Sequence, residues 1–370
     1  GALTSGDNNV AVGLNALDVN TTGCFNTALG ASTLLVNQTG ICNVAIGASA
    51  LRCNTASNNI AVGVQPLYYN TSGTNNTAIG TKALFCNTTA NNNTAVGYNS
   101  LLNNTTAANN TAVGTNALGA NTTGGNNAAV GRSALCSNTT AASNTAVGVC
   151  ALLTTTTSGN NTAVGFCALK TTSTDCNAAF GSNALRDQTT GANNTAIGSS
   201  AGLRTTTGSN NTVVGKDALF ANTTGAGNVA IGRNALFTNT TGTENVAIGL
   251  YALNANTTGD RNVAIGCGAL DANTTADTNT AVGSNALGVN TTGSSNVAVG
   301  DLSLDANTTG SNNTAVGRST LGANTTGGCN TTIGNGSLNS NTTGANNTAV
   351  GYIALDESTT GTENTAIGVN

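Results

Sequence analysis

Residues 109–125 read NNTAVGTNALGANTTGG, and this string returns with small changes along the whole 370-residue chain. We number its 17 positions from Asn109. The glycine of position 6, here Gly114, occurs 22 times between Gly13 and Gly368, at a spacing of 17 residues with two gaps of 16. Position 2 is always Asn, position 5 is always large and apolar, and position 10 is nearly always Leu. Self-similarity at one period is typical of a repeat architecture.

The repeat is too short for the helical pairs of the α-solenoid families. Its Thr, Val, Ile and Asn, with frequent Gly, disfavour helix. Two short apolar strings alternate with Gly and Asn-Thr-Thr-Gly segments that suit corners. We therefore predict an all-β fold, a parallel β-solenoid (a β-roll or β-helix) of about 22 coils with two or three short strands each. Residues 1–370 would form a single continuous domain, as a slice or protomer of a longer fibre.

Stacked coils place equivalent residues about 4.8 Å apart. We expect the Asn of position 2 to form a ladder of side-chain hydrogen bonds, as stacked Asn does in cross-β structures. The residues assigned to this ladder include Asn9, Asn26, Asn43, Asn93, Asn110, Asn127, Asn245 and Asn364. Position 5 and the Leu of position 10 are expected to fill the interior. The Ala of position 4 would then face outward, as a row of small residues suited to contact with another chain.

The composition excludes several classes of function. The chain has no His, Trp or Met, and charged residues make up 6% of it, with a net charge of −4. Without His there is no Ser-His-Asp triad and no His-bound zinc. So few cations cannot form the basic surface that nucleic-acid binding requires. The sequence also has no run of 18 apolar residues that could span a membrane. We predict that the protein is not an enzyme and has no catalytic residue, cofactor, metal site, nucleic-acid partner or membrane insertion.

Asn-Thr-Thr at positions 13–15 is an N-glycosylation sequon. An outward corner here would carry a row of glycans, and a turn held by local hydrogen bonds is the alternative. Thr155, Thr172, Gln188 and Thr205 replace this Asn in the middle of the chain. The candidate acceptors are Asn20, Asn87, Asn104, Asn121, Asn138, Asn222, Asn239, Asn256, Asn273, Asn290, Asn307, Asn324 and Asn341.

Two further pairs occupy equal positions in neighbouring repeats. Cys150 and Cys167 share position 8, and stacking would bring them within reach of a disulfide, although unbridged thiols are the alternative. Asp260 and Asp277 share position 17. Their carboxylates would lie about 5 Å apart, as in retaining glycosidases, but a surface charge cluster is the favoured interpretation.

Some repeats are similar to known surface proteins. The string NVAIG at residues 43–47, 228–232, 245–249 and 262–266 resembles the head repeats of YadA-like trimeric autotransporter adhesins. NTAVGFCAL at residues 161–169 also resembles repeats in tail-fibre-like proteins of cyanophages and large algal viruses. The resemblance implies a fibre architecture, and for the adhesins a left-handed parallel β-roll assembled as a trimer.

We therefore expect a structural or adhesive extracellular fibre, on a cell surface or a virion. Its expected partners are further copies of itself, stacked end to end or side by side and as a trimer if the adhesin resemblance holds, together with surface glycans. The alternative is an ice- or glycan-binding solenoid that uses its Thr and Asn rows. Ice binding needs two outward rows spaced i, i+2, whereas the Thr residues of positions 14 and 15 are adjacent and point in opposite directions.

Overall fold

The computed structural model describes residues 6–369, and its regular elements there are 22 β-strands of three residues each, at positions 3–5 of the repeats. The chain divides into two compact units, the first ending at Ser182 and the second beginning at Asn183. The strands of the first unit are β1 Val10–Val12, β2 Thr27–Leu29, β3 Val44–Ile46, β4 Ile60–Val62, β5 Thr77–Ile79, β6 Thr94–Val96, β7 Thr111–Val113, β8 Ala128–Val130, β9 Thr145–Val147, β10 Thr162–Val164 and β11 Ala178–Phe180. Those of the second unit are β12 Thr195–Ile197, β13 Thr212–Val214, β14 Val229–Ile231, β15 Val246–Ile248, β16 Val263–Ile265, β17 Thr280–Val282, β18 Val297–Val299, β19 Thr314–Val316, β20 Thr331–Ile333, β21 Thr348–Val350 and β22 Thr365–Ile367.

Within each unit, every strand pairs in parallel with the next strand along the chain. In β6 and β7, for example, Thr94 pairs with Thr111 and Val96 pairs with Val113, which places equivalent repeat positions side by side. Such one-coil-per-repeat pairing confirms the predicted parallel β-solenoid in both units. The single continuous domain over residues 1–370 stays a prediction.

Each coil contains one strand, so the prediction of two or three strands per coil is wrong. The Ala-Leu string forms turns, yet its backbone still bonds to the next coil. Leu101 N donates to Ala117 O at 3.0 Å, and Asn103 N donates to Gly119 O at 3.2 Å. Backbone pairing between coils therefore continues beyond the strands, and this satisfies polar groups that would otherwise be left unpaired.

Left-handed backbone conformations make the tight corners. Gly114 has φ +134°, and a Cβ placed on it would lie 2.6 Å from Gly131 O in the next coil, so only glycine fits position 6. Positions 1, 8 and 10 also have positive φ without being glycine. In one coil these are Asn109 at 62°, Asn116 at 57° and Leu118 at 50°. The corners thus hold several residues per coil in a conformation that side chains disfavour.

The interior is narrow and consists of a few stacked columns. Position 4 contributes Ala112, position 9 contributes Ala117 and position 10 contributes Leu118, all fully buried. The Leu column is as predicted. The prediction that position 5 fills the interior and position 4 faces outward is wrong. Strand residues two apart share a face, so an inward Asn at position 2 requires an inward residue at position 4 and outward residues at positions 3 and 5.

Candidate interaction surface

The outer face of the strands is a regular surface that the repeat creates. In β8, Ala129 is fully buried, whereas Val130 is 39% exposed. Position 3 carries Thr or an aliphatic residue and position 5 carries Val, Ile, Leu or Phe. The row of small residues expected on the outside is therefore inside, and larger apolar side chains form the outer row of position 5.

The apolar outer rows are strongest in the second unit. Strands β14 to β16 each read Val-Ala-Ile, so both outward positions are aliphatic in three successive coils. Position 7, just after the Gly corner, adds exposed large residues in several coils, among them Tyr98, Phe166, Leu250 and Tyr352. We call positions 3, 5 and 7 together the outer strand face. Contiguous exposed apolar surface of this kind marks interaction sites in soluble proteins.

The Asn ladder of position 2 forms as predicted. Asn110 is buried, its Oδ1 accepts a hydrogen bond from Asn127 N at 2.9 Å, and its Nδ2 donates to Gly124 O at 3.0 Å. The same pattern joins Asn9 to Asn26 and Asn347 to Asn364, through the backbone N–H of the second residue in each pair. The side chain therefore links one coil to the next and also closes its own coil.

The sequon asparagines of position 13 lie inside the coil, which contradicts an outward corner and fits the alternative of a turn held by local hydrogen bonds. Asn121 Nδ2 donates to Asn104 Oδ1 at 2.9 Å and to Gly124 O at 3.0 Å. A glycan on this nitrogen would break both bonds, and we do not retain glycosylation as a function of these residues. The buried acceptors are Asn20, Asn87, Asn104, Asn121, Asn138, Asn222, Asn239, Asn256, Asn273, Asn290, Asn307, Asn324 and Asn341.

Position 13 is thus a second Asn ladder, which the sequence interpretation missed. The sequence signal was the recurrence of Asn at a fixed position, the same signal that identified position 2. The ladder stops where the Asn row stops: Thr155 occupies the coil after Asn138, and Asn138 Oδ1 is buried without a hydrogen-bond partner. Thr155 instead donates its hydroxyl to Thr172 O at 3.2 Å.

The two Thr positions of the corner differ in accessibility. At position 14, Thr105 Oγ1 donates to Thr122 O at 3.2 Å, and Thr122 Oγ1 donates to Thr139 O at 3.0 Å. These half-buried hydroxyls join successive coils. At position 15, Thr106 and Thr123 are exposed. Both Asn rows are buried, so the corner offers a single Thr row to a ligand.

The carboxylates of position 17 bond to backbone N–H groups of the preceding coil. Asp260 Oδ1 accepts from Thr243 N at 2.7 Å, and Asp277 Oδ1 accepts from Asp260 N at 2.8 Å. Ser311 Oγ accepts from Ser294 N in the same way, at 3.1 Å. Because a hydroxyl replaces the carboxylate without loss of the contact, this arrangement supports a structural role for the two aspartates.

The position-8 cysteines stand at equivalent places of adjacent coils. Cys150 is half-buried and Cys167 is buried, and both have positive φ. Cys136 lies nearby: burial raises the pKa of its thiol above the usual value, and the neighbouring Cys150 raises it further. A raised pKa keeps this thiol protonated and weakly nucleophilic at neutral pH. The Cys150–Cys167 bridge stays a prediction.

Among residues 6–369, no group of three or more Cys, Asp or Glu side chains is arranged to hold a metal ion. The same part of the chain contains no helix of the length and apolarity that crossing a bilayer requires. No protein-family model matches the sequence, and no curated protein matches it significantly.

Proposed function

We propose that the protein is a structural component of an extracellular fibre, on a cell surface or a virion, whose chains associate through the outer strand face. The observation that carries this proposal is the recurrence of outward apolar side chains at position 5 in successive coils, beside Thr or an aliphatic residue at position 3. A surface that repeats at every coil offers the same weak contact many times, and linked contacts add up to strong association. This suits assembly of identical chains better than recognition of one small molecule.

The size of the face is adequate for such a contact. Eleven strands in one unit extend roughly 50 Å along the stacking direction, and positions 3 to 7 span about 13 Å. The product is about 650 Å² on one partner, close to the roughly 800 Å² that each partner buries in a stable protein interface.

The scarcity of charge on the face favours a second copy of the chain as the partner. Positions 3 and 5 carry no Lys, Arg, Asp or Glu, and position 7 carries only five such residues, namely Arg132, Lys216, Arg233, Asp301 and Arg318. The same face of a second copy is therefore equally poor in charge, and the two faces can cover each other with few charged groups to remove from water.

The test replaces Val96, Val113 and Val130 by Lys, which puts three charges on the outer strand face. A matched control replaces Thr89, Thr106 and Thr123, exposed at position 15 of the corner, by Lys. We expect wild type and control to form oligomers or fibres in sedimentation velocity and electron microscopy, and the strand-face variant to stay monomeric with unchanged circular dichroism. Monomeric wild type at high concentration, or a strand-face variant that assembles normally, would contradict the proposal.

Ice binding is a second candidate that the strand face favours. Positions 3 and 5 are two outward rows spaced i, i+2, which is the arrangement that positions 14 and 15 lack. In β5 to β7 these rows are Thr on one side and Val or Ile on the other. Under this candidate the monomeric protein shows thermal hysteresis, and the strand-face Lys variant loses it while the corner variant keeps it. Absence of hysteresis in the wild type would eliminate ice binding and leave the fibre proposal untouched.

A further inference from the structure

Three of the chain's eleven aromatic residues and two of its ten cations form one cluster on the first unit. The Tyr68 and Phe85 rings stack with centroids 5.4 Å apart, and both occupy position 11 of adjacent coils. Arg52 lies over the Tyr68 ring at 5.5 Å, and Lys82 lies over the Phe85 ring at 5.6 Å. The Tyr69 ring stands nearly perpendicular to both stacked rings, at 4.7 and 5.1 Å.

The second unit contains a simpler version of this cluster. Phe220 and Phe237 stack at 5.1 Å, and Arg204 lies over Phe220 at 5.2 Å. The residues that follow these rings at position 12 are Ala221 and Thr238, so no ring crosses the stack. A cation above a stacked pair is therefore a feature that both units share, and it stabilises the column of position 11. The crossing ring and the second cation are additional in the first unit.

Tyr69 is placed as an open platform. Its side chain rests against two rings that the backbone holds in register, since Tyr69 N donates to Phe85 O at 3.2 Å. Nevertheless Tyr69 is 47% exposed. A fixed aromatic ring with free surface binds a flat apolar ligand face at little entropic cost. Two exposed hydroxyls lie on the same coils. Ser72 is three residues after Tyr69, and Thr89 is four residues after Phe85.

The charge around the platform is positive. No Asp or Glu occurs between residues 19 and 174, and Asp18 lies two coils away from Arg52 at the same position 11. Guanidinium and ammonium groups beside an aromatic ring recognise a ligand that combines an apolar face with an anionic group, because Arg pairs with carboxylates in a planar, bidentate geometry.

We propose that Arg52, Tyr68, Tyr69, Lys82 and Phe85 form a binding site for a saccharide that bears a carboxylate. The C–H face of the sugar ring packs on Tyr69, the carboxylate pairs with Arg52 or Lys82, and the corner hydroxyls bond to the sugar hydroxyls. Two cations in a chain of net charge −4 are too few for a phosphate backbone, which favours a saccharide over nucleic acid. The site is separate from the outer strand face and does not depend on the proposed fibre.

The experiment measures binding of an oligogalacturonate hexasaccharide by calorimetry and by chemical-shift changes of ring-labelled Tyr. The proteins are the wild type, Tyr69→Ala and Arg52→Ser, with Phe237→Leu as the control at the simpler cluster. We expect the wild type and the control to bind alike, and each of the two site variants to bind at least tenfold more weakly. Methyl esterification of the hexasaccharide should weaken binding to a similar extent.

Three results would overturn the proposal. These are absence of binding by the wild type, equal binding by Tyr69→Ala, and Tyr69-dependent binding of a single-stranded oligonucleotide that is tighter than binding of the hexasaccharide. Circular dichroism and thermal denaturation confirm that each variant is folded. The outer strand face is unchanged in all of them, so their assembly is expected to match that of the wild type.

Discussion

At the scale of single residues, two buried asparagines hold together most coils of the solenoid. Asn110 and Asn121 both donate an Nδ2 hydrogen to Gly124 O, so this one carbonyl accepts two side-chain amides. The same two side chains also bond to neighbouring coils. A primary amide both donates and accepts, and this is what a column of identical side chains requires.

Asn110→Ala is expected to destabilise the protein by about 3 kcal/mol, because it leaves the buried Asn127 N–H without a partner and removes one donor from Gly124 O. Asn110→Asp should cost more at neutral pH, since a carboxylate cannot donate to that carbonyl. Urea denaturation of both variants measures the change.

The pH dependence of Asn110→Asp distinguishes the ladder from simple packing. A buried carboxyl has a folded pKa above its unfolded pKa, so the folded state binds more protons between the two values and stability rises as the pH falls through that window. Asn103→Asp is the control: this residue is exposed and lies outside both ladders, and the change should stay within about 0.5 kcal/mol at every pH. Equal losses at both positions would contradict the ladder.

Corner residues are a second source of stability changes at this scale. Thr278 has φ 60° at position 1, where a β-branched side chain is strained and Asn is the usual residue. Thr278→Asn is therefore expected to stabilise the protein by about 1 kcal/mol. Thr280→Asn, two residues later in β17, should not stabilise it, because strands favour β-branched residues. Thermal denaturation of the two variants gives the comparison.

At the scale of the strand, the alternation of side chains decides which surface meets solvent. Positions 2 and 4 of the repeat share the inner face of the strand, and positions 3 and 5 share its outer face. The small inner residues let the strand approach the Ala-Leu corner closely, and the Leu column fills the space that remains. The apolar outer rows are consequently available for other molecules.

A charge on either face tests this orientation directly. Ala112→Asp buries a carboxylate and should cost more than 4 kcal/mol or prevent folding. Val113→Asp, one residue later, leaves the carboxylate in water and should cost about 1 kcal/mol or less. Chemical denaturation and soluble expression report both effects. A tolerated Asp at residue 112 together with an unfolded Val113→Asp variant would show that the faces are reversed.

The sequence was sufficient for the coil but not for the side of the coil on which each row lies. The 17-residue period predicted the stacked coils, the glycine of position 6 predicted a corner, and the Asn of position 2 predicted a side-chain ladder. The structure contains all three, because backbone geometry and side-chain ladders require the same residue type at the same position of each repeat. Hydrophobicity misled the assignment of the strand, since Val113 looks more like a core residue than Ala112. Inside the narrow coil, position 4 holds Ala in nearly every repeat, with Val213 and Thr332 also fully buried there. The tight corners keep the coil narrow, and their left-handed residues leave no distinctive apolar pattern in the sequence. Position 13 was misjudged because a sequon and a buried ladder look alike in sequence.

At the scale of the whole molecule, charge is rare and unevenly distributed along the chain. The acidic residues are concentrated after residue 174, and two of them, Asp271 and Asp305, occupy position 11. Burial raises the pKa of both carboxyls above the usual value, and the nearby Asp301 raises that of Asp305 further, against two backbone hydrogen bonds that lower it. The ionised form of each carboxyl is therefore less favourable in the folded protein than in the unfolded chain, which lowers the stability at neutral pH.

Asp305→Asn is expected to raise the denaturation midpoint at pH 7, with Asn already present at the same position in Asn254 and Asn339. A folded pKa above the unfolded value means that wild-type stability rises as the pH falls through the window between them. The gain in stability of Asp305→Asn over the wild type should therefore shrink as the pH falls through that window and vanish below it. An advantage of Asp305→Asn that is independent of pH would contradict this assignment.

Distances between spin labels test the stacking of coils most directly. Labels attached through a ketone-bearing amino acid leave the ten cysteines in place. One label replaces Thr22 and the second replaces Thr89, Thr123 or Thr157, all exposed at position 15 and four, six or eight coils further on within the first unit. Stacking in register predicts separations of about 19, 29 and 38 Å, rising by about 4.8 Å per coil. Separations that do not increase in proportion to the number of coils would contradict the solenoid and the surfaces derived from it.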